Sequence, residues 1–186
     1  MPLPKEKECY TYADYCTWDD DKRWELIDGV AYAMSPAPTT KHQESGGELY
    51  RQLANFLKDK PCKVFHAPFD VRLNADADDD TVVQPDLVVV CDKSKLDDSG
   101  CNGAPDMVIE ILSPSSAKRD KVLKFNTYQR VGVREYWVVD PDSKTVYAHV
   151  LKNGEYITYA YSDANTAPVN VLEGCVISLP DVFADS

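Results

Sequence analysis

Asp86, Glu110 and Lys124 are the residues of this chain whose types and settings best suit chemistry. Glu110 lies inside Asp106-Met107-Val108-Ile109-Glu110-Ile111-Leu112, a run that reads as a buried strand. An unpaired ionised carboxylate in an apolar interior costs several kcal/mol, so a cation, a metal or a raised pKa must compensate. A second apolar run, Leu87-Val88-Val89-Val90, opens with Gln84-Pro85-Asp86. Downstream, Asp120, Lys124 and Tyr128 recur at four-residue spacing on a helical segment. Two acids on strands and a lysine on a nearby helix point to a metal-dependent hydrolase. A phosphodiester resists hydrolysis because its charge repels the nucleophile, and divalent cations neutralise that charge. Mg²⁺ prefers hard carboxylate oxygens and keeps several waters. Asp86 and Glu110 would supply its site, and Lys124 a further positive charge.

The elements that must position these groups follow from pattern. Thr11 with Asp14 reads as the capped start of a short helix. Trp24 to Met34 reads as a hairpin about Asp28-Gly29. From His42 to Lys58, Leu49, Leu53, Phe56 and Leu57 recur at helix spacing until Pro61. Strands are expected at 63–66, 69–73, 82–83 and 87–91, with a solvated acidic loop at 74–80. A loop is expected over 92–104 and the central strand over 106–112. Ser113-Pro114-Ser115-Ser116 reads as the cap of a helix from Ala117 to Arg130, closed by Gly132. A strand at 135–139, a hairpin pairing 146–151 with 156–161, and an edge strand within 168–177 complete the chain. The order implies a single α/β (α+β) domain over residues 1–186, with a mixed sheet between two main helices.

Lysine and arginine number 20 against 31 aspartates and glutamates, a formal charge of −11. Such a chain repels a polyanion at long range, so contact with nucleic acid needs a local basic patch. Lys118, Arg119, Lys121, Lys124, Arg130 and Arg134 form the one notable basic stretch, a modest DNA footprint. No apolar run approaches the ~20 residues of a membrane span, and Met1 to Tyr10 lacks the apolar core of a signal peptide. A cytoplasmic protein is expected. The six cysteines show no CxxC spacing, so free thiols are expected and neither zinc nor a disulfide.

Four blocks extend the pattern: Glu25-Leu26-Ile27-Asp28-Gly29, Val83-Gln84-Pro85-Asp86-Leu87-Val88-Val89-Val90, Gly103 to Ser115, and Gly132 to Pro141. With Pro85-Asp86 and then Glu110 in an apolar strand, the chain resembles the PD-(D/E)xK nuclease superfamily. More narrowly it resembles the Uma-two endonuclease family, from about Trp24 to Tyr159. The resemblance implies a restriction-endonuclease-like fold, with a central four-stranded mixed sheet flanked by helices, and metal-dependent cleavage of DNA. By position Asp86 matches the motif aspartate and Glu110 the second acid. The motif lysine position is Leu112, and Lys124 on the following helix is the matching residue. Asp86 and Glu110 are then expected to bind Mg²⁺ or Mn²⁺, with the backbone carbonyl of Ile111 as a further ligand.

Each residue also has a plainer reading. Glu110 would suit a structural ion pair, Lys124 a surface pair with Asp120, and Tyr128 core packing. His42 would contact phosphate or cap its helix, and Gln84 would bind a ligand or a metal-held water. Lys118 and Lys121 would meet the substrate backbone. Glu25 could approach the site from the first hairpin, and Glu44 and Glu48 suit either a solvated face or, as the superfamily resemblance implies, a helix acid added to the metal site. A twofold homodimer is expected from the tyrosine-rich terminal hairpin, Tyr147, Tyr156, Tyr159 and Tyr161, whose edge needs covering. The alternative function is a non-catalytic DNA-binding or protein-interaction module on the same fold.

Overall fold

A computed structural model of the chain describes residues 9–19, 22–34, 37–75, 78–113, 118–162 and 164–184, with the backbone alone at 118–121. The first half carries α1 (Tyr12–Tyr15), β1 (Trp24–Ile27), β2 (Val30–Ala33), α2 (Thr40–Leu57), β3 (Lys63–His66), β4 (Val71–Arg72), β5 (Val82–Val83) and β6 (Leu87–Val90). The second carries β7 (Leu96–Asp97), β8 (Gly100–Asn102), β9 (Met107–Ile111), α3 (Lys118–Val131), β10 (Glu135–Asp140), β11 (Thr145–Lys152), β12 (Glu155–Ser162), β13 (Thr166–Pro168), β14 (Val176–Ser178) and α4 (Leu179–Val182).

Local chemistry sets the boundaries. Asp28 and Gly29 both take positive φ, 50° and 74°, the conformation of a two-residue hairpin turn between β1 and β2. Thr39 caps α2, its side chain accepting the His42 N–H, which fixes the backbone of His42 in the first turn. Gly132, with φ 86°, ends α3, and its N–H donates to the Tyr128 carbonyl.

The central sheet has six strands in the order β12-β11-β10-β9-β6-β3, rather than the four implied by the resemblance. The extra strands are edge additions: β12 joins β11 in a sequence-local hairpin, and β3 joins β6 across the intervening β4 and β5. Strands β9 and β10 run parallel, and α3 is the crossover that joins them. A second six-stranded sheet, β2-β1-β5-β4-β8-β7, contains the first hairpin. The stretch 92–104, expected as a loop, contains a 3₁₀ turn at Lys93–Lys95 and the short β7–β8 hairpin. The segment expected as an edge strand instead pairs β13 with β14 in a small separate sheet. No helix among the described residues is long and apolar enough to cross a membrane.

Side-chain alternation divides the central sheet into two faces. Leu87, Val89, Met107, Ile109, Ile111, Trp137 and Val139 pack with Leu49, Leu53 and Leu57 of α2 and with the C-terminal segment. Val88, Val90, Val108, Tyr136 and Val138 face the other way, toward Tyr128 and Val133 and toward Ile27, Val71 and Val83 of the second sheet. In β10 every residue from Glu135 to Val139 is buried, as expected of a strand covered on both faces.

The structure corrects the expectation of free thiols throughout: Cys62 and Cys91 form a disulfide. The cause is register. Lys63 pairs with Val90 in the antiparallel β3–β6 ladder, so the next residues outward, Cys62 and Cys91, stand opposite one another. Cys9, Cys16, Cys101 and Cys175 are free thiols.

Candidate active site

Period-two alternation decides where the two acids point. Asp86 precedes β6 and Glu110 lies in β9, and the antiparallel register pairs Leu87 with Ile109. One step further sets Asp86 opposite Glu110. Both continue the face of Val88 and Val108, the face that meets α3 and the second sheet. The Ile111 N–H donates to Asp86 Oδ2 at 2.7 Å, clamping that carboxylate to the end of β9.

Lys124 and Tyr128 lie one helical turn apart on α3 and reach the same point. Lys124 Nζ donates to Glu110 Oε1 at 2.8 Å and to Glu25 Oε1 at 2.9 Å. The Tyr128 hydroxyl donates to Glu110 Oε1 at 2.9 Å. Tyr128 is therefore not a packing residue alone, and its four-residue spacing from Lys124 was the available signal. Glu25 reaches the cluster from β1 and also accepts the Gln84 N–H at 2.9 Å. Its approach from the first hairpin was expected, but the contact with Lys124 depends on how the two sheets pack, which sequence spacing does not give.

His42 enters from the first turn of α2. Its Nε2 lies 3.2 Å from Asp86 Oδ2, while Nδ1 is buried without a hydrogen-bond partner among the described residues. Helix α2 approaches closely here, since a Cβ on Gly46 would lie 3.0 Å from Ile111 Cδ1. Gln84 turns away: its side chain donates to Asp70 and Tyr15 and accepts from Arg23. It joins the site through its backbone, not as the ligand-binding amide expected. The side chains of Lys118 and Lys121, and of Asp120, lie outside the described residues, as does the cap at 114–116. Glu48 pairs with Arg51 and Gln52 on the surface of α2. The basic stretch is weaker than its composition suggests, because Arg130 pairs with Asp28 and Arg134 with Asp106.

Charge is unevenly balanced in this cluster. Two carboxylates, of Glu25 and Glu110, contact the Lys124 ammonium, and a third, of Asp86, stands opposite Glu110 and contacts His42. Burial opposes the Lys124 charge, but Glu110 and Glu25 outweigh it and hold its pKa well above the usual lysine value. Burial pushes the Glu110 carboxyl up, against the pull of Lys124 and with further push from Asp86 and Glu25. Burial, reinforced by Glu110, raises Tyr128, which stays a protonated donor. Burial lowers His42, yet Asp86, Glu110 and the Ile111 main chain raise it overall.

Among the described residues no three His, Cys, Asp or Glu side chains form a ready-made metal cage. Mg²⁺ does not require one, since it is held by one or two carboxylates and keeps its waters. The hard oxygens of Asp86 and Glu110 fit that demand, and the excess of carboxylate charge favours a cation beside them.

A family model described as "Uma2: Putative restriction endonuclease" matches residues 11–180. The uncharacterized protein slr1290 of Synechocystis sp. is 24% identical over 164 residues, 86% of this chain and 82% of its own length. A crystal structure of a putative nuclease belonging to DUF820 from Anabaena variabilis superposes with a TM-score of 0.76 at 21% identity. That likeness covers 94% of this chain and 97% of the other, and it shows that the two share a fold.

Proposed function

Because the chain belongs to the Uma2 family, we propose that it is a metal-dependent endonuclease that hydrolyses DNA phosphodiester bonds at the Asp86–Glu110–Lys124 cluster. One observation carries this reading. Lys124 of α3 donates to Glu110 of β9 in a largely buried place, 13% and 16% exposed, while Asp86, just before β6, stands opposite Glu110 in the ladder and accepts the neighbouring Ile111 N–H.

In this reading Asp86, Glu110 and the Ile111 carbonyl hold Mg²⁺ or Mn²⁺. Bound there, the cation supplies positive charge against the phosphate and eases deprotonation of a water. The chain's own groups do the rest. The Ile111 N–H orients Asp86, and the Tyr128 hydroxyl fixes the Glu110 carboxylate. Lys124 places a permanent positive charge where the phosphorane-like transition state gains negative charge. His42 holds Asp86 from the α2 side. Lys118 and Lys121, on the same helix as Lys124, are assigned to the DNA backbone, and the working unit is a twofold homodimer.

Single-turnover cleavage of short DNA with Mg²⁺ or Mn²⁺, beside calorimetric metal titration, tests the assignment. Asp86→Ala or Glu110→Ala should lose metal binding and cleavage together. Lys124→Ala should keep the metal while turnover falls about 10²-fold or more, the scale of losing one charge-stabilising group. A wild-type protein that binds no divalent cation and cuts no DNA would hand the lead to a non-catalytic interaction module.

A further inference from the structure

We propose that Glu25 is a positioning residue: it anchors Lys124 so that Glu110 can be given over to a divalent cation. The inference rests on Glu110 being a cation ligand, as assigned above. Lys124 Nζ lies between Glu110 Oε1 at 2.8 Å and Glu25 Oε1 at 2.9 Å. A cation arriving at Glu110 competes for the oxygen that Lys124 now uses and repels the ammonium. An ammonium only 13% exposed has little water to turn to. Without a second acceptor it either stays on Glu110 and opposes the cation or loses its partner, and an unpaired buried charge is costly.

Glu25 is built to be that second acceptor. It is 7% exposed and sits on β1, in the sheet that packs over the site. The oxygen that accepts Lys124 also accepts the Gln84 N–H at 2.9 Å. Gln84 stands two residues before Asp86, so the anchor is tied to the segment carrying the other acid. One carboxylate thus sets the distance between the α3 ammonium and the strand that begins at β6. Beyond the candidate cation ligands, it leaves Lys124 charged, in place and facing the site.

Mn²⁺ titration of the full chain by calorimetry tests this in a double-mutant cycle of Glu25→Gln and Lys124→Met. Glu25→Gln should weaken Mn²⁺ about tenfold when Lys124 is present, and less than about twofold in the Lys124→Met background, the coupling expected of directly contacting groups. Glu25→Asp keeps the charge but withdraws it from Lys124, so it too should weaken Mn²⁺. If Glu25→Gln weakens Mn²⁺ equally in both backgrounds and Glu25→Asp does not, Glu25 is a remote negative charge and the anchor is overturned. Wild type that binds no Mn²⁺ overturns the assignment of Glu110 itself, and the anchor with it. Wild type that binds Mn²⁺ with an additive cycle overturns the anchor alone.

Discussion

At the scale of single residues, the site is governed by how Glu110 is satisfied. Its Oε1 accepts from both Lys124 and Tyr128, a charged and a neutral donor on the same helix. Tyr128 is fully buried, so its hydroxyl has no water to replace that bond. Tyr128→Phe keeps the ring, with its edge contact to Tyr136, and removes only the donor. Glu110 then loses one of its donors in a place where burial already disfavours its charge. The variant should be less stable than wild type by about 1–2 kcal/mol, measured by urea unfolding in the absence of metal. Unchanged stability would mean that Tyr128 contributes packing only, the role its sequence position first suggests. Of the six residues gathered here, Asp86, Glu110 and Lys124 stood out in the sequence as candidates because an acid beside or within an apolar run and a charged pair at helix spacing break a local pattern. Glu25 and Tyr128 gave weaker signals: Glu25 lies in a hairpin block that could approach the site, and Tyr128 shares the four-residue spacing of Lys124 but suits packing as well. His42 was legible as a helix-start residue, but its turn toward Asp86 depends on how α2 crosses the sheet.

At the scale of elements, legibility followed length and periodicity. Helices α2 and α3, the β1–β2 hairpin and the β11–β12 hairpin were readable from turn signals and recurring apolar residues. Strands β7 and β8 were not, because Leu96-Asp97 and Gly100-Cys101-Asn102 carry the Asp, Gly and Asn of turns, where the equally short β5 is Val82-Val83. The Cys62–Cys91 bond was invisible for another reason: it is set by the ladder register across 29 residues of chain, not by cysteine spacing. The terminal hairpin carries the prediction that belongs here. Strand β12 closes one edge of the central sheet. Gln129 Oε1 accepts the Tyr156 N–H near one end, and Ile157 and Tyr159 are 44% and 37% exposed. A long edge strand with exposed apolar side chains is a template for another strand. Two copies of β12 paired antiparallel about a twofold axis would set Thr158 against Tyr159 and keep like charges apart in the middle of the pair. Light scattering at micromolar concentration should give the mass of a dimer. Tyr159→Lys should shift it to the monomer, and a monomeric wild type would remove the proposal.

At the scale of the whole molecule, a chain of charge −11 must handle protons as well as ligands, and its stability should depend on pH in a way that one residue can report. His149 lies on β11 among the rings of Phe125, Tyr136 and Tyr156, with Nδ1 2.7 Å from Thr158 Oγ1. Burial lowers its pKa to about 4 from the usual value of 6.5. The folded state therefore prefers the neutral ring, while the unfolded chain takes up a proton as soon as pH falls below about 6.5. More protons on the unfolded side mean that stability falls with falling pH. The contribution of His149 is fully present above the unfolded pKa, erodes below it, and is lost by the time pH passes through the folded value near 4. Glu135 acts in the opposite sense. Burial raises its pKa, so what it contributes is present below its unfolded value and lost as pH rises through the folded one. The bare pH profile of the protein mixes the two, and the His149 component is isolated by difference. His149→Phe places a non-titrating ring among the same aromatic neighbours. Because the imidazole is partly solvent-screened, its contribution is discounted to about 1 kcal/mol, which corresponds to a Tm difference of roughly 2–4 °C for a chain of this size. Calorimetric melts from pH 7.5 to pH 5 should show wild type losing that much more Tm than His149→Phe. Parallel curves would mean that His149 is solvated well enough in the folded protein to titrate as it does in the unfolded chain.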